Sequence, residues 1–416
     1  MNKNRKKLGI MIVGLGGAVA STAVAGIELL RRGKIGAEGL PLAPLPENLT
    51  GNLADYENIV FGGWDLNADD LATAAAAHDV LTLQQFQEVS EQLQASKPLA
   101  AVCNSAFCRN IEGKNVVAAG NHNLCVEIVR EDIRRFKNER DVERVVVINL
   151  ASTESFIDKD SETFATLENF EKDLGENSAK ISPAMIYAYA AIGAGAAYGN
   201  FTPSVAADIP ALVQYAEQKG VPIAGKDGKT GQTFIKTVIA PGLKARALKV
   251  DGWYSTNILG NRDGLALSHP DSLKSKITTK NSVLDDILGY KVEDHLVDIR
   301  YYRPRGDNKE AWDNIDIIGF LGQPMQLKIN FLCRDSILAA PLVIEIARLL
   351  DYAQICGEAG VQEQLSVFFK LPQVADETNQ KPEHALHLQE RMLLEWLTTQ
   401  AHKTNAKQPQ TTAANE

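Results

Sequence analysis

Histidine is scarce in this sequence, which limits the kinds of catalysis to consider. The 416 residues include seven histidines. They are scattered, and no serine or cysteine nucleophile is placed to form a triad with them. We expect His122 and His295 to be structural, and we assign no catalytic role to His78, His269, His387 or His402.

Cysteine is also scarce, and the five cysteines fit no zinc-binding spacing. Their number is odd, and Cys103 and Cys108 have no second Cys or His pair suitably placed. We interpret the cysteines as small, reduced core residues, which favours a cytosolic compartment.

Basic residues are fewer than acidic ones, at 43 against 52, and the net charge is −9. This balance argues against nucleic-acid binding, which needs a broad basic face. The stretch from Lys226 to Lys280 differs from the rest of the chain. It contains eight lysines and two arginines but four aspartates, which gives a local net charge of +6. Clustered ammonium groups repel one another unless an anion neutralises them. The stretch therefore predicts a phosphate-binding catalytic segment, with an ordinary basic surface as the alternative.

The N-terminal region contains an apolar run, Leu8–Ile27, without a charged residue. A signal peptide or a single membrane span would have such a run. The run also has the order strand, glycine turn, small-residue helix, with the strand at Gly9–Val13 and the turn at Gly14-Leu15-Gly16-Gly17. That order is the dinucleotide-binding fingerprint, in which the pyrophosphate lies at a helix N-terminus. We favour this interpretation and expect a protein without a membrane anchor.

A second strand, Asn58–Phe61, leads to Asp65. An acid at the end of the second strand binds the ribose 2′-OH in such folds. Asp65 comes later than the usual ~20 residues after the turn, so the Pro- and Gly-rich loop Ile35–Asn52 must account for the delay. A helix N-cap is the alternative role for Asp65.

The rest of the chain has an α/β pattern that changes after Phe234. Before Phe234, Arg144–Leu150 is typical of a parallel strand buried on both faces. We predict helices at Ala68–Ala77, Leu81–Ala95, Leu124–Lys137 and Ser182–Ala197, and a strand at Val221–Ala224. After Phe234 we predict strands at Val250–Asn257, Asp294–Tyr302, Asn314–Phe320 and Met325–Phe331, then helices at Asp335–Ala353, Gln362–Phe369 and Glu383–Gln400, and a disordered tail from Thr404.

Lysine is the abundant candidate for chemistry. Lys276 and Lys280 are four residues apart, so a helix would place them on one face. Lys309 follows Gly306-Asp307-Asn308, and Lys370 lies in an apolar context. Lys370 either reaches solvent along its aliphatic stem or is buried, and burial would lower its pKa toward acid/base use.

Several motifs of this sequence resemble those of myo-inositol-1-phosphate synthases, in the same order along the chain. Residues 224–233 (AGKDGKTGQT) resemble the family's GDD-x-KSGQTK, and residues 257–264 (NILGNRDG) resemble NHLGNNDG. Residues 274–286 resemble RSKEISK…DD. The other matches are Gly14–Gly17, Gly63-Trp64-Asp65, Thr153-Glu154, Ser182-Pro183, Asp294-His295, Gly306–Lys309 and Cys333–Pro341.

The sequence departs from the family pattern at three places. Lys226 stands where the family has the first acid of GDD. The turn Gly16–Ala20 lacks the asparagines of GGNNG, and Asn200–Ser204 replaces a longer loop, NGSPQNT. These departures concern contacts with NAD and leave the lysine set intact.

The resemblance implies an α/β fold in which a Rossmann-type parallel-sheet domain is interrupted by an inserted α+β catalytic and tetramerisation domain with a mostly antiparallel sheet. We therefore expect the first part of the NAD-binding domain at 1–233, the inserted domain at 234–337, the return to the NAD-binding domain at 338–403 and a tail at 404–416. The implied assembly is a cytoplasmic homotetramer.

The resemblance also implies the reaction: D-glucose 6-phosphate becomes 1D-myo-inositol 3-phosphate, with bound NAD regenerated in each turnover. C5 is oxidised, C6 is deprotonated to an enolate, C6 attacks the C1 aldehyde, and the new ketone is reduced. A phosphate dianion, an enolate and an aldol alkoxide all require positive charge held close, which explains the lysines.

Site residues follow from the same motifs. The implied catalytic residues are Lys276, Lys309, Lys370, Asp227 and Asp335. The implied substrate-binding residues are Lys280, Asn257, Asn261, Asp263, Thr230 and Gly231. The implied NAD-binding residues are Gly14, Leu15, Gly16, Gly17, Asp65, Thr153 and Asp307. Family members differ over a metal cation, divalent or monovalent, and no cluster in the sequence decides it.

Three functional classes remain open from the sequence. The first is this NAD-dependent isomerase. The second is an NAD-dependent dehydrogenase acting on another phosphorylated sugar or polyol, which would release NADH. The third is a membrane-anchored binding protein that uses Leu8–Ile27 as a span.

Overall fold

A computed structural model describes residues 7–109, 111–260, 283–376 and 379–407. Its larger sheet has seven strands, all parallel, in the order β3-β2-β1-β4-β5-β6-β11. The first six strands have the order of a doubly wound dinucleotide-binding sheet. The strands are β1 (Lys7–Val13), β2 (Ile59–Asp65), β3 (Leu99–Ala100), β4 (Val142–Asn149), β5 (Ala197–Asn200), β6 (Pro222–Gly225) and β11 (Gly360–Val361).

Successive side chains of the central strands point to opposite faces of the sheet and so pack in two different cores. Met11 and Val147 pack in one apolar cluster, and Ile10 and Ile148 pack in the other. Helices therefore cover both faces of the sheet, as expected for near-continuous apolar strands. The helices of this part are α1 (Ala18–Arg31), α2 (Glu47–Thr50), α3 (Leu71–His78), α4 (Leu83–Gln94), α5 (His122–Glu139), α6 (Glu162–Ala165), α7 (Leu167–Gly175), α8 (Pro183–Gly193), α9 (Pro210–Lys219), α11 (Asp335–Ile355) and α12 (Leu386–Lys407).

The smaller sheet has four strands in the order β10-β9-β7-β8. Strands β7 and β8 are parallel, and the other two pairs are antiparallel. Its inner face packs on helix α10 (Gly231–Ala245) and on a helical segment at 283–288. The strands are β7 (Lys249–Leu259), β8 (Asp294–Tyr301), β9 (Asn308–Ile318) and β10 (Pro324–Arg334).

The predicted fold class is confirmed: a Rossmann-type parallel sheet is combined with a mostly antiparallel second sheet. The predicted domain boundary at 233/234 lies within helix α10, which packs on the smaller sheet. The change in sequence pattern after Phe234 therefore falls inside a helix. The domain limits stay predictions.

One predicted helix is too long. Ser182 caps α8 by accepting a hydrogen bond from the Met185 N–H, and Pro183 begins the helix, as predicted. The helix ends at Gly193, however, and Ala197–Asn200 forms strand β5. The small apolar residues continue without a break from helix to strand, so composition gave no boundary there.

Two other predicted elements have different ends in the structure. Strand β9 begins at Asn308, six residues before the predicted Asn314. Helix α12 extends to Lys407, so residues 404–407 are helical where a disordered tail was predicted, and the remaining tail lies outside the described residues. Within the described ranges, no helix is long and apolar enough to cross a membrane.

Candidate active site

The carboxyl ends of the parallel strands meet at one edge of the larger sheet, where open α/β sheets bind ligands. A cavity of about 450 Å³ lies at this edge. It extends from the glycine turn after β1 to residues of the smaller sheet and of helix α11. Predicted site residues that line it are Gly14, Gly17, Asp65, Thr153, Asp227, Thr230, Asp307, Lys309, Asp335 and Lys370.

The glycine turn connects β1 directly to the N-terminus of α1. Gly14 has a φ of +91°, and a Cβ there would lie 3.1 Å from the Leu150 carbonyl oxygen, so the turn requires glycine. Gly17 caps α1 without a side-chain hydrogen bond, and the first turn of the helix carries no acidic residue. Free N–H groups and the helix dipole make this end a site for a pyrophosphate.

Asp65 binds the glycine turn instead of capping a helix. Its Oδ2 accepts a hydrogen bond from the Gly16 N–H over 2.8 Å, and its Oδ1 accepts one from Asn67 N over 2.9 Å. The cap of α3 is Asp70, which accepts from Thr73 N. The N-cap alternative for Asp65 is therefore wrong, and its carboxylate lies at the cavity wall, where the ribose of a dinucleotide would be bound.

Lys309 and Asp335 form an ion pair at the cavity wall. Lys309 Nζ lies 3.3 Å from Asp335 Oδ1, and the same oxygen accepts a hydrogen bond from Thr230 Oγ1 over 3.1 Å. Lys309 is the second residue of β9, and Asp335 begins α11. Three segments distant in sequence thus converge on one carboxylate.

Lys370 and Asp227 form a second ion pair, and both residues are buried. Lys370 Nζ donates to Asp227 Oδ1 over 2.7 Å, and the Lys370 N–H donates to the Asp227 carbonyl over 2.6 Å. The structure thus places Lys370 in the interior, which decides between the two alternatives left by the sequence. A Cβ on Gly228 would lie 2.0 Å from the Phe201 ring, so this loop also needs glycine to pack.

Lys226, the departure from the family pattern, forms its own buried pair. Its Nζ lies 2.6 Å from Asp208 Oδ2. Burial alone would raise the pKa of Asp208, but the Lys226 ammonium and its hydrogen bond outweigh that and lower the pKa. The lysine at this position is thus neutralised locally and does not line the cavity.

Two further carboxyl groups lie at the cavity wall. Asp307 accepts hydrogen bonds from Ser336 Oγ over 2.6 Å and from Ser336 N over 3.4 Å, and burial raises its pKa. Glu154 accepts from the Ala184 N–H, and burial raises its pKa to about 8. Glu154 is part of the Thr153-Glu154 match to the family pattern, for which the resemblance implies a role only at Thr153.

Some predicted residues do not line the cavity. Gly16 and Gly231 contribute backbone next to it, and Leu15 packs in the core and donates its N–H to the Trp64 carbonyl. Asn257 is buried in strand β7. Lys276, Lys280, Asn261 and Asp263 lie outside the described residues.

Sequence reasoning missed two buried lysines beside the site. Burial lowers the pKa of Lys229 to about 7, and Lys229 Nζ donates to Gln389 Oε1. Burial lowers the pKa of Lys236 to about 8, and its Nζ lies 2.7 Å from His295 Nε2. Lys229 belongs to the motif at 224–233 and Lys236 follows it by three residues, so their position near its glycines was the available signal. Over the ranges the structure describes, no group of three His, Cys, Asp or Glu side chains is arranged to hold a metal ion.

The sequence model of the myo-inositol-1-phosphate synthase family matches residues 46–398. The chain belongs to this family. It is 42% identical to inositol-3-phosphate synthase 1 of Bacteroides thetaiotaomicron over 410 residues, which cover 94% of this chain and 95% of the relative. It is 32% identical to inositol-3-phosphate synthase of Saccharomyces cerevisiae, over 84% of this chain and 74% of the relative.

A solved structure has the same fold. The crystal structure of inositol-3-phosphate synthase from Caenorhabditis elegans superposes with a TM-score of 0.88 at 26% sequence identity, over 99% of this chain and 90% of that one. Family membership therefore agrees with the architecture and with the order of the motifs.

Proposed function

We propose that this protein converts D-glucose 6-phosphate to 1D-myo-inositol 3-phosphate with NAD as a bound cofactor. The observation that carries the proposal is the continuity of one cavity. The dinucleotide turn at Gly14–Gly17 forms one wall, and the buried pairs of Lys309 and Lys370 form another. A bound redox cofactor would thus share one cavity with charges suited to anionic intermediates.

The residues at the turn fit NAD. Gly14 and Gly17 leave no side chain between the cavity and the N-terminus of α1, and Asp65 lies where a ribose hydroxyl would donate to it. We assign Gly14, Leu15, Gly16, Gly17, Asp65, Thr153 and Asp307 to this cofactor, with Leu15 and Gly16 holding the shape of the turn through their backbone hydrogen bonds to Trp64 and Asp65. Bound NAD would supply reversible hydride transfer at C5, the carbon that carries the ketone both before and after the aldol step, so no net oxidation would result.

The lysines provide the remaining chemistry. An ammonium group held in a low-dielectric site stabilises an enolate or alkoxide far more than it would in water. Asp335 and Asp227 orient Lys309 and Lys370 by direct hydrogen bonds. We propose these four side chains and Lys276 as catalytic, and we propose Thr230, Gly231, Asn257, Asn261, Asp263 and Lys280 as substrate-binding.

The alternative is a dehydrogenase that releases NADH after oxidising another phosphorylated sugar or polyol. Two buried lysines paired with carboxylates favour the isomerase, because hydride transfer alone develops no enolate or aldol alkoxide to stabilise. Incubation of the purified protein with glucose 6-phosphate and NAD separates the two. The isomerase forms a product that releases phosphate on periodate oxidation, without accumulating absorbance from NADH. Accumulation of NADH in proportion to consumed substrate would instead establish the dehydrogenase.

We also propose a homotetrameric, cytoplasmic enzyme. Strand β10 has no partner on its outer edge among the described residues, and it exposes Met325 and Leu332. The preceding turn exposes Phe320 and Leu321 at 90% and 79%. An unprotected edge strand with this much apolar surface favours burial against another subunit. Light scattering at micromolar concentration should give four times the chain mass, and a monomeric mass would refute the assembly.

A further inference from the structure

A turn at residues 103–108 brings two cysteines together beside the cavity. The thiols of Cys103 and Cys108 are hydrogen-bonded to each other. A backbone bond of 2.9 Å from Cys108 N to the Asn104 carbonyl oxygen closes the turn. Both cysteines are half-buried, and the tip of the turn, Ser105-Ala106, is exposed. Small solutes can therefore reach the thiol pair from the surface.

The two thiols of the pair differ in reactivity. The hydrogen bond from Cys108 stabilises the thiolate of Cys103 and lowers its pKa to about 7, and the same bond raises the pKa of Cys108. The neighbouring carboxyl group of Glu154 has a pKa raised by burial to about 8, so it is mostly uncharged at pH 7 and does not oppose the thiolate. Because the thiolate is the nucleophile, Cys103 would attack first and Cys108 would react second.

The turn is joined to the nucleotide end of the cavity on both sides. Strand β3, which precedes the turn, is paired with Asp65 of β2. At the other end, the Phe107 carbonyl oxygen accepts a hydrogen bond from Ser155 N over 2.9 Å, in the loop that follows β4 and carries Thr153. Cys108 itself lines the cavity. A movement of the turn would therefore reach two segments that hold residues assigned to NAD.

We propose that Cys103 and Cys108 form a reversible disulfide, and that closing it weakens the binding of NAD in the cavity. The proposal rests on the proposed function for the identity of the nucleotide. A disulfide bond is much shorter than a hydrogen bond between two thiols, so closing it draws the turn together and shifts Cys108 at the cavity wall. Disulfides of this reversible kind in reducing compartments are usually redox-sensing.

The oxidant in this proposal is a low-molecular-weight disulfide. The Cys103 thiolate attacks one of its sulfurs, the S–S bond of the reagent breaks, and one thiolate leaves as a mixed disulfide forms. The Cys108 sulfur then attacks the Cys103 sulfur, and the second half of the reagent leaves with the proton that Cys108 gives up. The two cysteines are thereby oxidised by two electrons, and the reagent is reduced to one thiolate and one thiol.

Equilibration of the full chain with mixtures of reduced and oxidised glutathione tests the disulfide. The remaining thiols are alkylated, and peptide mass spectrometry gives the fraction that carries a bond between Cys103 and Cys108. We expect complete closure in oxidised glutathione and complete opening in reduced glutathione. A chain that forms no such bond, or that stops at a mixed disulfide of Cys103 with glutathione, would overturn the proposal.

Calorimetric titration with NAD tests the coupling. The dissociation constant should be about tenfold higher for the oxidised protein than for the reduced one. Because linkage is reciprocal, saturating NAD should raise the midpoint potential of the thiol pair by about 30 mV for that tenfold difference. A disulfide that leaves the dissociation constant and the midpoint potential unchanged would overturn the coupling.

Cys103→Ser removes the attacking thiol and leaves Cys108 at the cavity wall, and Cys103→Ala replaces it if that variant does not fold. Either variant should bind NAD equally well after both treatments. Cys125→Ser is the matched control, since Cys125 is a half-buried cysteine of α5, and it should respond like the wild type. Loss of NAD affinity on oxidation of Cys103→Ser would assign the effect to other thiols and overturn the proposal.

The outcomes separate this inference from the proposed function. A reduced wild type that does not bind NAD would contradict the proposed function, and the disulfide could still be measured. A reduced wild type that binds NAD but closes no bond between Cys103 and Cys108 would contradict this inference alone.

Discussion

Lys370 Nζ donates a hydrogen bond to Asp227 Oδ1 over 2.7 Å, although 143 positions separate the two residues in sequence. Their side chains are 6% and 4% exposed. Desolvation of two charges offsets most of their attraction, so such a pair adds little net stability. Removal of one charge lowers the stability, because the other charge then stays buried without a partner in a medium of low dielectric constant. The pair therefore contributes more to the arrangement of the site than to the net stability of the fold.

A double-mutant cycle tests this distinction. Lys370→Met should lower the free energy of unfolding by about 3–5 kcal/mol, because it removes the ammonium that pairs with a buried carboxylate. Asp227→Asn suits the backbone, since Asp227 has a φ of +58° and Asn tolerates that conformation. The double variant should be more stable than Lys370→Met in urea denaturation, and neither should form product.

The matched control for this cycle is Lys249→Met. Lys249 pairs with Asp251 on the surface, and their side chains are 63% and 53% exposed. This substitution should change the free energy of unfolding by less than about 1 kcal/mol and leave activity unchanged. A double variant as unstable as Lys370→Met would show that the charges do not act as a pair.

Asp65 should determine the choice between NAD and NADP. Its carboxylate accepts from Gly16 N and lines the cavity, where a 2′-phosphate would meet a like charge. Asp65→Asn retains an acceptor for Gly16 and removes the charge. We expect the ratio of dissociation constants, NADP over NAD, to fall by about tenfold or more in calorimetric titrations.

Asp70→Asn is the control for this prediction, because Asp70 caps α3 a few residues away and does not line the cavity. It should leave the nucleotide preference at the wild-type ratio. If Asp65→Asn also leaves that ratio unchanged, Asp65 serves the glycine turn and not the ribose.

The parts of the site that the sequence predicted are those with local signals. The glycine turn at Gly14 and the polar loop at Thr230 are each specified by residues a few positions apart, and both line the cavity. Which carboxylate meets which lysine is not a local property. The pairing of Lys309 with Asp335 depends on the register of β9 and β10 and on the start of α11.

The missed features have the same cause. The sequence shows Lys226 as a departure from the family pattern, but its partner Asp208 lies in a different loop, and only the fold brings them together. A relay of hydrogen bonds from Asp313 through Gln232 to Asn257 joins α10 to two strands of the smaller sheet. Periodicity predicts that such faces are buried, and it does not predict which polar atoms meet within them.

Glu154 should make stability depend on pH. Burial raises the pKa of its carboxyl group from 4.5 to about 8 in the folded protein. Between about pH 5 and pH 8 the folded state keeps this proton and the unfolded state loses it. The unfolded state then binds fewer protons, so the free energy of unfolding falls as pH rises through this window. Glu154→Gln removes the titration and should flatten the profile measured by urea denaturation.

The comparison variant is Glu168→Gln, which alters an exposed glutamate on α7. It should leave the shape of the pH profile as in the wild type. A Glu154→Gln profile that still falls by the same amount from pH 5 to pH 8 would assign the dependence to other groups.

Cys103 should be more reactive toward alkylation than Cys125 and Cys333, whose pKa values are raised by burial. A hydrogen bond from the Cys108 thiol stabilises the Cys103 thiolate and lowers the pKa to about 7, although burial acts in the opposite direction. The turn that brings the two cysteines together is closed by a 2.9 Å bond from Cys108 N to the Asn104 carbonyl. By contrast, burial raises the pKa of Cys125.

Alkylation by iodoacetamide measures this difference, because the thiolate is the nucleophile. The rate at Cys103, followed by peptide mass spectrometry, should rise with a midpoint near pH 7, and Cys125 should react more slowly at neutral pH. Cys108→Ala removes the thiol that donates to Cys103 and leaves the turn's backbone bond intact. The midpoint for Cys103 should then move upward toward the ordinary cysteine value of about 8.5. An unchanged midpoint in Cys108→Ala would mean that the neighbouring thiol does not control the reactivity of Cys103.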